Sequence, residues 1–227
     1  MDLAWTALLL PLKVAGFATL INLVLGVALA YLFARKRFWG REVLDSFLSL
    51  PMVMPPTVLG YYLLVLLGKK SALGQFLYNQ FGIQLIFTWQ AATIAAAIVA
   101  LPLVYKPARS AFESIDPQLE QAARTLGLSN AAIFFRVSFP LAWRGILGGL
   151  LLGFARALGE FGATLMVAGS VQGKTQTLSI AIYEAVQAGD DALANTMVAM
   201  ASIVCVVILL VSNKIAPHYR TSTGVAR

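Results

Sequence analysis

Residues Val14–Ala34 read VAGFATLINLVLGVALAYLFA and carry no charge at all. A helix needs roughly 20 mainly apolar residues to cross the hydrocarbon core of a bilayer, and this stretch is long enough by itself. Ser202–Ser212 is a second uncharged run. Across the 227 residues, 59% are hydrophobic and only 12% charged, too little polar surface for a water-soluble domain of this length. Lipid offers no partner for backbone N–H and C=O groups, so these segments must be helical. The chain therefore reads as a single all-α membrane domain over residues 1–227.

Five segments are long and apolar enough to span, over about residues 8–34, 43–67, 87–104, 146–168 and 192–215. The Lys and Arg residues fix an orientation. With the amino terminus outside, the inner loops hold twelve: Arg35, Lys36, Arg37, Arg41, Lys106, Arg109, Arg124, Arg136, Arg144, Lys214, Arg220 and Arg227. The outer side holds Lys69, Lys70 and Lys174, with Lys13 near an edge. The carboxyl terminus is then cytoplasmic. This asymmetry also accounts for the net charge of +7 without nucleic acid, since no basic stretch is interleaved with aromatics in a polar domain. Cys205 and His218 stand alone, so neither a disulfide nor a transition-metal site is expected. Asp2 stands where a signal peptide carries basic residues, and the apolar run outlasts signal length, so no cleavable signal is expected.

Three features interrupt the apolar spans. Pro51, Pro55 and Pro56 remove backbone donors at membrane depth, which suits either a kink lining a pathway or a helix entry shaped by packing. Gly145, Gly149, Gly153 and Ala157 recur every four residues, a small ridge for close helix approach within or between chains. Leu178–Gly189 is too short to span and reads as an interfacial or re-entrant helix on the outer side.

The segment between the third and fourth spans, about 113–140, is the most specific. Asp116 and Pro117 are a cap and a first helical residue, Gly127 suits a left-handed stop, and Ser129 caps a second helix that Pro140 is expected to end. The product is a helical knob on the cytoplasmic face. Its short residues Ala122, Ala123 and Gly127 permit close approach to a partner groove. On these grounds alone it is either a docking element or an ordinary helical loop.

The same residues carry a resemblance. Gln121-Ala122-Ala123, then Gly127, then Val137-Ser138-Phe139-Pro140 is similar to the "EAA" loop of bacterial ABC-importer permeases. It departs from that pattern at Gln121 for Glu, Val137 for Ile and Phe139 for Leu, with Glu120 one position early. Leu50-Pro51 through Pro55-Pro56, Gly60-Tyr61 and Leu158-Gly159-Glu160-Phe161-Gly162-Ala163-Thr164 resemble molybdate permeases, and the last motif resembles sulfate and thiosulfate permeases too. The resemblance implies a type I importer permease in the bacterial inner membrane, working as a homodimer. Its partners would be two cytoplasmic ATPase subunits and an external oxyanion-binding protein. Coupling would fall to Glu120, Gln121, Ala122, Ala123, Gly127, Val137 and Pro140. Molybdate would be the cargo, with sulfate, thiosulfate or tungstate as alternatives. Pro51, Pro55, Pro56, Arg156, Glu160, Gly162 and Thr164 are candidates for the pathway.

Arg156 and Glu160 lie one turn apart on one helix face, where charge at membrane depth is costly. Arg156 either supplies positive potential to a crossing anion or forms a self-neutralising structural pair. Gly169–Thr175 looks like a phosphate-binding loop, but three residues, not four, separate Gly169 from Gly173, and no strand precedes it. No nucleotide or other cofactor is expected on this chain, and ATP with Mg would bind the partner ATPase. A secondary transporter would call for repeats and a matched second interruption. An intramembrane enzyme would call for a convergent nucleophile and base. Neither pattern is present in the sequence.

Overall fold

The computed structural model describes residues 2–215, and these are helical throughout apart from turns and short connections. The elements are α1 (Asp2–Arg35), α2 (Arg41–Val53), α3 (Pro56–Leu67), α4 (Ala72–Phe81), α5 (Trp89–Glu113), α6 (Pro117–Thr125), α7 (Asn130–Ile133), α8 (Phe139–Leu158), α9 (Gly162–Ala168), α10 (Leu178–Gln187) and α11 (Asp191–Ile215). Among the described residues, four helical stretches are long and apolar enough to cross a membrane: Leu9–Arg35, Trp89–Glu113, Asn130–Leu158 and Asp191–Ile208. The pair α2–α3, bent by 115°, makes a fifth if it counts as one broken span. Of the basic residues used for orientation, Arg220 and Arg227 lie outside the described residues, as does His218.

Three expectations from the sequence change. The second span is two helices, because Pro55 and Pro56 lack donors and Pro56 opens α3, whereas Pro51 sits inside α2. The third helix runs beyond Val104 to Glu113, carrying its charged end past the apolar stretch. The fourth is split: α8 ends at Leu158 and α9 restarts at Gly162, with Gly159-Glu160-Phe161 between them.

Helix α5 is the hub. Its Ala91, Ala92, Ala95, Ala96, Val99 and Ala100 are buried against α1, α3 and α9 in one half of the core. Toward its far end Val104, Tyr105, Ala108 and Phe112 pack with Val27, Ala30 and Phe33 of α1 and with Ala142, Ile146 and Leu150 of α8. The ridge on α8 settles into this seam. A Cβ on Gly149 would lie 3.1 Å from the Val104 carbonyl oxygen, and one on Gly153 would lie 2.6 Å from Val104 Cγ2. The ridge therefore serves an intramolecular contact, with small residues letting two helices approach closely. The outer faces of α1 and α11, with Leu20, Val24, Ile203 and Val206, are exposed as lipid-facing positions must be.

Close packing at this seam predicts that Gly149→Ala and Gly153→Ala each destabilise the protein by about 1–3 kcal/mol, through overpacking. Gly148, around which a Cβ meets nothing within 4 Å, is the control. Thermal unfolding in detergent should show lowered midpoints for the first two and none for Gly148→Ala. Equal midpoints for all three would contradict the seam.

Candidate functional site

Two constructions concentrate the residues singled out by the sequence. The first is the knob. Asp116 Oδ1 accepts from the Gln118 amide at 2.9 Å, and Pro117 opens α6. Gly127 takes the left-handed conformation (φ 80°), while the Leu128 amide donates to the Ala123 carbonyl at 3.2 Å, closing the helix end. Ser129 caps the next helix through the Ala132 amide at 3.3 Å. Each of these local signals was legible.

Pro140 was not. It does not end a helix, because Asn130–Leu158 is continuous through a π-helical turn at Phe134–Ser138. The Phe139 amide reaches back to the Phe134 carbonyl, and this wide turn places Pro140, which has no donor, in the first turn of α8. Val137 is half-buried within the wide turn. The second part of the knob, from Asn130 on, is thus continuous with the span, while α6 joins it through the turn at Gly127.

Glu120 faces inward and is 6% exposed. Its Oε1 accepts from Arg35 Nε at 2.8 Å and from Ser138 Oγ at 2.6 Å. One carboxylate oxygen therefore joins the end of α1, the knob helix α6 and the wide turn leading to α8. Ala123 is also buried, packing the knob onto the body. The outward face consists of Gln121, Ala122, Arg124, Thr125, Leu126 and Gly127, with Leu126 82% exposed and Phe135 nearby in sequence also exposed. Leu126 and Phe135 were missed by the sequence reading. Large apolar residues on a polar loop were the available signal.

A second ionic group fastens α2 to α5. Arg109 Nη1 lies 2.7 Å from Asp45 Oδ1, which also accepts from the Tyr105 hydroxyl at 2.7 Å. Glu113 Oε1 receives Arg109 Nε at 2.8 Å and Arg41 Nη2 at 3.0 Å.

The other construction is a meeting of two breaks. The α2–α3 bend at Met54-Pro55 and the α8–α9 break face each other. A Cβ on Gly162 would lie 3.1 Å from Pro56 Cβ, and one on Gly60 would lie 2.9 Å from Ala163 Cα. Pro55 is exposed, Pro56 half-buried, and Pro51 stands apart inside α2. Glu160 is 3% exposed; its Oε1 accepts from the Ala163 amide at 2.8 Å and so caps α9. Its Oε2 lies 2.8 Å from Arg156 Nη1. The pair is therefore a bracket across the break, with Glu160 occupied twice and the Arg156 side chain 34% exposed. Thr164 is buried behind it.

A bundle of apolar helices, two of them broken at one place, with a helical knob rigidly joined to a span, defines a membrane permease. The chain belongs to the family of binding-protein-dependent transport system inner membrane components, whose model matches residues 22–220. It is similar to the molybdenum transport system permease protein ModB of Escherichia coli K12, 41% identical over 98% of both chains. It is also 43% identical to a putative molybdenum transport system permease protein, YvgM of Bacillus subtilis, over 90% of this chain and 88% of that one. A chain of the MetNI methionine ABC transporter, solved in inward-facing conformations, shares the fold with a TM-score of 0.72 at 17% identity, covering 95% of each.

The Glu120 node predicts strong energetic coupling. Removing either partner of a buried pair strands the other, so Arg35→Ala and Glu120→Ala should each cost about 3 kcal/mol. The double variant should cost less than the sum, with a coupling of about 0.5–3 kcal/mol in a thermal-unfolding cycle. Strict additivity would mean that the contact does not bind the knob to α1.

Proposed function

We propose that this chain is the permease subunit of an ATP-driven molybdate importer in the bacterial inner membrane. Two copies would form the pathway, two cytoplasmic ATPase subunits would drive it, and an external binding protein would deliver the oxyanion. The molybdenum permease relatives support the cargo, since the likeness runs nearly end to end. The observation that carries the mechanism is the exposed face Gln121–Gly127 on a stem tied to α1 and α8 through Glu120. An ATPase groove that moves this face moves both helices with it, as a rigid body.

Coupling then divides between two sets of residues. Gln121, Ala122 and Leu126 make the outward contact and Gly127 turns the chain. Glu120, Ala123, Val137 and Pro140 join the knob to the bundle. The knob side is cytoplasmic in this reading, so α1 runs from outside to inside and the amino terminus is external. The paired breaks provide the moving part: α3 and α9 meet at Pro56 and Gly162, so displacing α8 shifts α9 against α3. Arg156 offers positive potential beside that junction, held in place by Glu160.

Uptake into proteoliposomes holding the permease, its ATPase and the binding protein tests this directly. ATP-dependent molybdate uptake should persist in excess sulfate. Leu126→Asp, on an exposed side chain, should leave assembly of the dimer intact yet lower uptake at least about tenfold by placing a charge in the ATPase groove. Sulfate uptake equal to molybdate would change the cargo, and uptake that ignores ATP would overturn the importer. Arg156→Gln should slow molybdate uptake about tenfold or more with ATPase docking unchanged, the scale of a lost charge-assisted contact; full uptake would leave the Arg156–Glu160 pair a purely structural bracket.

A further inference from the structure

Between α1 and α2 the chain reads Arg35-Lys36-Arg37-Phe38-Trp39-Gly40-Arg41, four basic residues within seven positions at the end of a membrane helix. Arg35 and Arg41 are held by Glu120 and Glu113. Among the described residues, Lys36 and Arg37 have no carboxylate within ion-pair distance, and both are exposed. Trp39 is fully exposed. The turn, the start of α2 and Arg109 enclose a groove of about 880 Å³ lined by Arg37, Trp39, Arg41, Glu42 and Asp45 among others. No side chain caps the start of α2; the Arg41 amide donates to the Phe38 carbonyl at 3.2 Å, and the amides of Glu42 and Val43 follow it in the first turn.

Directly beside this groove, α2 shows an unpartnered apolar face. Val43, Phe47 and Leu50 lie on one side of the helix and are 60%, 65% and 43% exposed. No residue of α2 is fully buried. The opposite side is fastened to α5 by Asp45. The helix thus lies against the bundle by Leu48 and the Asp45 anchor, and turns Val43, Phe47 and Leu50 away.

We propose that the Arg37–Arg41 groove, with Lys36 next to it in the chain, and the adjoining face of α2 bind an anionic phospholipid of the leaflet on the knob side. The phosphate sits against Arg37 and the start of α2, the exposed Lys36 adds positive potential at its edge, Trp39 lies at headgroup level, and the acyl chains run along Val43, Phe47 and Leu50. Both parts are needed to choose this occupant. A soluble anion would use the groove and leave the apolar face bare, and a soluble acidic protein would have no use for an exposed Phe47 beside a membrane. Basic residues just inside a membrane helix attract anionic lipid, each contributing to affinity, and aromatic residues settle at the headgroup level. The site needs that α1 crosses the membrane and ends at Arg35 and that the dimer leaves this face of α2 open; it does not depend on the identity of the cargo.

The site predicts selective contact between Trp39 and anionic lipid. The intact permease dimer would be reconstituted with brominated phosphatidylglycerol or brominated phosphatidylcholine at equal mole fraction. Quenching of Trp39 is isolated by subtracting the Trp39→Phe protein. Phosphatidylglycerol should quench it at several-fold lower mole fraction, and that preference should fall roughly fivefold for each of Lys36→Gln and Arg37→Gln. Arg37→Lys should retain it. These exposed substitutions leave the ion pairs untouched, and matching elution of the dimers checks that they fold. Inorganic phosphate at equal concentration should not compete. Equal quenching by both lipids would overturn the site, and competition by phosphate would reassign the groove to a free anion. Absence of quenching in the dimer would show the face covered by the second copy, also overturning the proposal.

Discussion

Everything in this chain answers to one constraint: the bilayer interior supplies no hydrogen-bond partner, so each polar group placed there must find one within the protein. Thr19, Thr93 and Ser202 turn their hydroxyls back onto carbonyls four residues earlier in their own helices. Asn22, buried between α1 and α5, donates to the Ala97 carbonyl at 3.0 Å. Lys13 lays its ammonium 3.7 Å from the centre of the Trp89 ring. Under such a constraint a broken helix is costly, and the two breaks are placed where they cover one another. Pro55 and Pro56 remove donors at one, and Glu160 supplies an acceptor at the other.

The same economy explains the hub. An alanine-lined α5 accepts α1, α3, α8 and α9 at short range, and the glycines of α8 fall where its carbonyls come closest. Side chains that would normally fill such a core are turned outward to lipid instead. At the knob end the logic reverses: there the helices are held by charge, through the Arg35–Glu120–Ser138 node and the Asp45–Arg109–Glu113–Arg41 chain. The glycine seam fixes the helices by close fit in the membrane, and directional ion pairs fix them at the knob end.

How far the sequence could be read follows from the range of each signal. Hydropathy found α1, α5 and α11, and local capping chemistry found Asp116, Gly127 and Ser129, because both signals are contained within a few residues. It did not find the end of α8, since Gly159-Glu160-Phe161 lies inside an apolar stretch and hydropathy is blind to backbone direction. An acid just ahead of Gly162 was the missed sign of a new helix start. Helix α4, opened by Ser71 and stopped by Gly82 in the left-handed conformation, is short and lies outside the five apolar segments. The role of Glu120 was out of reach, because its partner Arg35 is 85 positions away.

The wide turn at Phe134–Ser138 has a geometric consequence. An α-helix turns by about 100° for each residue, so one residue more or less in a continuous helix changes the azimuth of all that follows by about that angle. A π turn is such an added residue, absorbed locally. It sets the phase between the exposed Leu126 face at one end of the Asn130–Leu158 rod and the glycine edge at the other. The bearing of the knob relative to the bundle is thereby separated from the length of the helix. Losing that one residue would swing the knob by about 100° and pull Glu120 away from Arg35, while the packed seam in the membrane stayed as it was.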